Sequence, residues 1–261
     1  MAINPVKSTV ASKFPDSKIN WKYQFQQYGA ALAVAIFLFA VFSVYLLFRR
    51  GYYDLYIANK IFAEVAVVLL GIVLLICPLS RFFSFPDRYV QYRKELGIVA
   101  FFLAFIHSVV SLFFLPSKFP LSGFLRIPNW PFVFGLAAIL VLVAIFFISN
   151  DRAMIAIGRK RWWQLQYWSA RLAFILILFH VFIMKWSGWV IWYKVGGGKE
   201  LARPEWPGAG LLVGWFLIFA VLVRLAEFGG IRFGRAVWYA SVILLPTIYI
   251  ATFWWGRRFI G

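Results

Sequence analysis

Seven long apolar runs recur along the chain, at residues 28–48, 61–79, 96–115, 131–149, 165–184, 208–223 and 237–255, separated by short polar stretches. About 20 apolar residues in a helix cross a bilayer core. Lipid offers no water to backbone N–H and C=O groups, so each run must satisfy its own hydrogen bonds as a helix. The expected fold is therefore all-α, a polytopic membrane helix bundle. Composition agrees, with 63% hydrophobic and 14% charged residues, where soluble domains carry about 25% charged.

The charges that remain are mostly positive, 27 Lys and Arg against 9 Asp and Glu for a net +18. They lie in short loops between the runs and form no continuous basic helix, so nucleic acid is not the expected partner. Anionic lipid head groups are, and the same charges control topology. Seven crossings put 15 Lys and Arg on the N-terminal side and 11 on the other, with Arg171 inside a run. That bias favours a cytoplasmic N-terminus, and the expected location is a prokaryotic inner membrane. Residues 1–27 read as a polar, basic arm. The first run ends in Phe48-Arg49-Arg50 with no small-residue cleavage site, so it is expected to stay in the membrane as a helix. The single cysteine, Cys77, allows neither an internal disulfide nor a thiolate cluster. Pro78 is expected to close the second run and Pro246 to kink the last. Glu64 is expected in the first turn of its helix, where a carboxylate complements the dipole. Gly196-Gly197-Gly198 follows no strand and reads as a connector, not a phosphate loop.

The chain holds two histidines, His107 in the third run and His180 in the fifth. An ionisable group at membrane depth normally faces a partner or a cofactor. These two runs point the same way. At 1.5 Å per residue the histidines lie about 17 and 23 Å along them, both in the half remote from the N-terminus. Two imidazoles at similar height can take the two faces of one haem. With both axial positions filled by protein, the iron is suited to electron transfer rather than to binding oxygen. Ala104, Ser108 and Ser111 beside His107 leave room for a flat macrocycle, and Phe101, Phe102, Phe105 and Phe114 supply an apolar wall. The plainer alternative is that each histidine hydrogen-bonds a neighbouring helix. Met184, one turn after His180, is a weaker candidate ligand. Arg171 falls on the opposite face from His180 and suits an ion pair or an interfacial anchor.

Position fourteen fixes the count. Arg93 precedes His107 by 14 residues and Gln166 precedes His180 by 14. Fourteen residues are close to four turns, so each lies on the face of its histidine, about 21 Å nearer the N-terminal side. A second haem there would need histidines, and the expected number is one haem b.

Several motifs then line up in order: Gly71, Cys77-Pro78-Leu79-Ser80 at the end of the second run, Arg93-Lys94-Glu95-Leu96-Gly97 ahead of His107, and Trp162 with Leu165-Gln166 leading to His180. In this the chain resembles the ferric reductase-like transmembrane family over about residues 50–186. That family includes the haem-binding membrane subunit of the bacterial methionine sulfoxide reductase system, eukaryotic ferric reductases and NADPH oxidases. The resemblance implies a six-helix haem core, to which this chain adds a seventh helix. Many members carry two histidines on each ligand helix; this chain keeps one on each, matching the outer pair. Single-haem relatives place a flavin near the missing inner site, and by that resemblance Arg93 and Gln166 line a flavin or quinone site.

The reading is an integral-membrane b-type cytochrome, an oxidoreductase or electron-transfer subunit. Electrons are expected from a separate flavoprotein or from membrane quinol on the inner side, because six residues follow the last run and hold no nucleotide-binding domain. They leave to an outer acceptor, either ferric iron or a partner reductase. His107 and His180 ligate the iron, and Lys118, Arg126 or Lys185 pair with haem propionates. The rival is a haem-free transporter or assembly scaffold whose histidines are packing contacts.

Overall fold

The computed structural model describes residues 21–124 and 129–260. Helix α1 runs Trp21–Arg50 and α2 runs Leu55–Phe82. A 3-10 segment, Phe85–Tyr92, leads into α3, Arg93–Val109, which continues through one π-helical turn, Val110–Phe114. Short α4, Leu121–Phe124, precedes α5, Trp130–Ile148. Short α6, Asp151–Ile157, precedes α7, Arg159–Val195. Helices α8, Ala209–Ala226, and α9, Gly230–Gly256, complete the chain. Among the described residues there is no strand.

Six helical stretches are long and apolar enough to cross a membrane, which with this composition makes the chain an integral membrane protein. The last of them, Ala209–Phe259, doubles back on itself. Gly230, at φ +85°, takes a backbone that only glycine adopts cheaply. Helices α8 and α9 then pack antiparallel, and Tyr249 Oη donates to the Leu212 carbonyl at 3.0 Å. We call the face where α1 begins the N-side and the opposite face the far side.

Helix α2 is the spine. Over half of its apolar window is buried within the protein, against about a tenth for α5 and α7. One core joins Ala31 and Ala35 of α1 to Ile61, Val65 and Leu69 of α2 and to Val99 and Ala100 of α3. The other joins α2 to α5, α7 and α8 through Val68, Leu75, Ala138, Ala173, Leu217 and Ala220. Lipid tails are as apolar as these side chains, so association depends on close packing, and small residues permit it. Alanines 31, 100, 173 and 220 are essentially inaccessible. Gly71 shows a close approach between α2 and α8, since a Cβ there would meet the Phe216 ring at 2.5 Å.

Several ends differ from expectation. Helix α2 starts at Leu55, six residues early, because the Asp54 side chain caps it by accepting from the Ile57 N–H at 2.8 Å. Asn59 and Lys60 are therefore helical rather than part of a loop, and Glu64 sits in the third turn, beyond the reach of the helix dipole argument. Pro78 lies inside α2, fully buried, and the helix runs one turn further. The Arg235 Nε–H caps its end by donating to the Phe82 carbonyl at 2.6 Å. Helix α9 likewise stays helical through Pro246. Helix α7 has 37 residues, about 55 Å at 1.5 Å each, so it projects beyond a hydrocarbon core of about 30 Å. Residues 1–20, most of the expected basic arm, lie outside the described part.

Candidate functional site

His107 and His180 stand in the far half of the bundle, each half-buried. Their rings lie within electrostatic range of one another, yet α3 and α7, which carry them, make hardly any backbone contact. Helix α7 is held instead along its length by α5, and α3 by α2. The histidines thus stand on helices held in place by two separate helix pairs.

Each ring is aimed by its neighbour pair. His107 Nδ1 lies 3.0 Å from the backbone carbonyl of Asn59 and 3.1 Å from its Oδ1. His180 Nδ1 lies 2.7 Å from the Pro131 carbonyl at the start of α5. Carbonyl oxygens only accept, so both Nδ1 atoms carry the proton and both Nε2 atoms keep a lone pair. This is the tautomer of a metal-binding imidazole held by an outer hydrogen bond. Asn59, 1% exposed, also donates through Nδ2 to Ser111 Oγ at 2.8 Å. It ties the π-helical turn after His107 to α2. Such turns are rare and gather at functional sites.

His180 packs against Gly135, where a Cβ would meet its Nδ1 at 2.8 Å. Only a glycine one turn after Pro131 lets the ring reach that carbonyl. The expected aromatic wall is partly corrected. Phe101 is buried and stacks on Phe146 of α5 at 4.9 Å, but Phe102 and Phe105 are 48% and 46% exposed. Offsets of five and two residues rotate them off the His107 face, Phe102 toward the Phe146 ring of α5 at 5.5 Å, and Phe114 is 63% exposed. Ser111 is engaged with Asn59 rather than leaving open space.

Cations crowd the far side of the site. Lys185, one turn and a half beyond His180, lies within electrostatic range of both histidines, of Lys60 and of Glu64. Lys60 Nζ sits 4.1 Å from the Tyr56 ring centre and Lys118 Nζ 5.8 Å from it. Arg126 lies outside the described residues. Glu64 Oε2 is buried without a hydrogen bond among the described residues. Met184 is 39% exposed.

On the N-side, Gln166 Nε2 donates to Ser149 Oγ at 2.8 Å, which ties it to the end of α5. Arg93, at the first turn of α3, lies near Cys77 instead, with Arg171 beside it. Arg171 covers the Tyr167 ring at 3.1 Å and donates to the Tyr167 carbonyl at 2.8 Å. The two position-fourteen residues are therefore drawn toward different neighbours.

Among the described residues no three His, Cys, Asp or Glu side chains gather as a metal site. Two axial imidazoles need no third, since a porphyrin supplies the remaining ligands. The donor set fits that group: two rings with free Nε2, on helices that scarcely touch, beside basic side chains suited to carboxylates.

Residues 62–177 match the family model described as ferric reductase like transmembrane component. The chain carries a ferric reductase-like transmembrane domain. The matched region spans most of α2 to the middle of α7, so it contains His107, Asn59's partner turn and Gly135, and stops three residues before His180. The comparison with curated proteins finds no match. Sequence reasoning missed Pro131 and Gly135 within this ferric reductase-like domain, and Asn59 just ahead of it. Asn59 had a signal, an amide in an otherwise apolar helix start. The two backbone carbonyls had none, because side-chain identity says nothing about which carbonyl a ring will meet.

Proposed function

We propose that this chain is a membrane electron-transfer subunit that holds one haem b between His107 on α3 and His180 on α7. The observation that carries the reading is the pair of Nδ1–H groups satisfied by carbonyls of α2 and α5, which leaves two Nε2 lone pairs on helices that scarcely touch. When bound, the haem iron supplies one-electron chemistry. His107 and His180 would hold it through their Nε2 atoms, and two protein ligands would leave oxygen no place at the iron. Asn59 and Pro131 fix the ring tautomers and orientations, and raise the basicity of the free nitrogens. Lys60, Lys118 and Lys185 offer partners to propionates at the far side. The apolar residues of α3, α5 and α7 exclude water, which keeps the reorganisation around a changing charge small.

The direction follows the charge bias, with the N-side inner and the far side outer. Electrons come from a separate flavoprotein or from membrane quinol, and pass to ferric iron or a partner reductase outside. Arg93 would lie close to a flavin or quinone on the inner side; Gln166, occupied by Ser149, has a lesser part in it. A haem-free scaffold draws on the same hydrogen bonds, since packing histidines also seek carbonyls.

Sealed vesicles test the proposal. The full chain, loaded with haem, is reconstituted with ferricyanide trapped inside and reduced flavin mononucleotide supplied outside. Ferricyanide should be consumed by wild-type vesicles and not by those carrying His107→Ala or His180→Ala. Equal rates in all three would contradict the reading.

A further inference from the structure

The N-side end of the bundle gathers four arginines from four helices. Arg81 lies in the last turn of α2, Arg93 in the first turn of α3, Arg171 in α7 and Arg224 in the last turn of α8. Three of them, Arg81, Arg171 and Arg224, lie around one carboxylate, Glu227. Arg224 Nη1 lies 2.7 Å from Glu227 Oε2, and Arg171 and Arg81 are within electrostatic range of the same Glu227. Arg93 and Arg171 share the neighbourhood of Cys77, together with Glu227. Glu95, the next carboxylate along α3, is within electrostatic range of Tyr28 of α1 and forms no ion pair with the four arginines, all of them among the described residues. Among the described residues the cluster therefore carries more positive charge than its single carboxylate balances.

Three of its donors are buried without a hydrogen bond among the described residues, and one of them, Arg224 Nη1, faces Glu227 across their ion pair. The other two are Arg93 Nε and Arg171 Nη2. A guanidinium in such surroundings is costly unless an anion completes it, because both its charge and its N–H groups lose water. Structural arginines elsewhere, one on each face, show the contrast. Arg235 is completed by the Phe82 carbonyl and Arg49 by the Trp206 carbonyl.

We propose that Arg93 and Arg171, with Arg81 beside them, form an anion site that takes a phosphate group at the N-side face. Planar guanidinium forks match the oxygens of a phosphate better than any single-point cation does. Three such forks around one centre suit a tetrahedral oxyanion. Cys77 is about five residues from the end of α2, which places the site roughly 8 Å inside the helix end, at head-group depth. Two sources have this chemistry: the phosphodiester of a membrane lipid, and the phosphate of a soluble ligand reaching the site from the N-side. The site stands whether or not haem binds between the histidines.

The full chain, delipidated in a maltoside detergent, can be titrated with inorganic phosphate against potassium chloride at equal ionic strength. A parallel titration uses phosphatidylglycerol against a phosphate-free galactolipid. The thermal unfolding midpoint, read by tryptophan fluorescence, should rise and saturate. Arg93→Gln and Arg171→Gln should each raise the half-saturating concentration about tenfold or more, whereas Arg257→Gln at the opposite face should not. A response to the lipid alone assigns a head-group site, and a response to free phosphate assigns a site open to soluble ligands. Should an arginine variant fail to fold, native mass spectrometry of the wild-type chain decides by whether one phosphate-bearing ligand is retained per chain. No stabilisation beyond the chloride and galactolipid controls, or variants that titrate like the wild type, would overturn the proposal.

Discussion

The two halves of the α3–α7 face are built from the same helices and do opposite things. In the far half, neutral imidazoles are aimed by backbone carbonyls, and every ring nitrogen is either satisfied or free to ligate. In the N-side half, four turns away, the matching positions hold Arg93 and Gln166, one drawn to Cys77 and Arg171 and the other to Ser149. A soft, neutral ligand pair needs orientation; a fixed charge needs a counter-ion. One helix face can therefore carry a metal-type site and an anion-type site without either imposing on the other.

The largest expected break comes from removing a ring. His180→Ala or His107→Ala should abolish the low-spin haem spectrum altogether, since one remaining imidazole cannot fill both axial positions. The next is Gly135→Ala. Its Cβ would stand 2.8 Å from His180 Nδ1, so the ring must leave the Pro131 carbonyl or the α5–α7 pair must shift. Overpacking of this kind costs about 1–3 kcal/mol, and a displaced or broadened haem band should accompany it. Gly97→Ala on α3, where a Cβ meets nothing, is the control that should behave as the wild type.

Asn59→Ala should have a smaller effect, because the Asn59 backbone carbonyl remains for His107 while Oδ1 and the tie to Ser111 are lost. Losses of outer hydrogen-bond partners weaken metal affinity by about 10–100-fold, and one of two acceptors should fall near the low end, measured by haem dissociation. The smallest expected change is in the double variant Arg93→His and Gln166→His. A pair of histidines at the right spacing should not recruit a second haem, because the two positions are held toward different neighbours. Two haems per chain would show that the halves differ in residue type alone.

The sequence made the architecture readable where the physics is coarse. Runs of about 20 apolar residues can only be helices in lipid, and direction and depth were enough to put His107 and His180 in the same half of the bundle. Helix ends were read less well. Asp54 starts α2 early, and a proline near the end of a helix removes one hydrogen bond without stopping it, as Pro78 shows. Asn59 was placed in a loop for the same reason, and its role went unseen. Gly135 could not be read at all, since a glycine in an apolar run has no visible purpose until His180 is packed against it. The arginine cluster was hidden in another way. Its members come from four separate segments, and only Arg93 was read as part of a site, by resemblance, while Arg171 suited an ion pair or an interfacial anchor.

The most direct measurement is the haem content of the purified full-length chain, by pyridine haemochrome assay joined to a dithionite-reduced-minus-oxidised spectrum. The account predicts about one b-type haem per chain, with a sharp low-spin signal that disappears in His180→Ala. A flat spectrum after expression with added haem, or a low-spin signal that survives loss of either histidine, would contradict it.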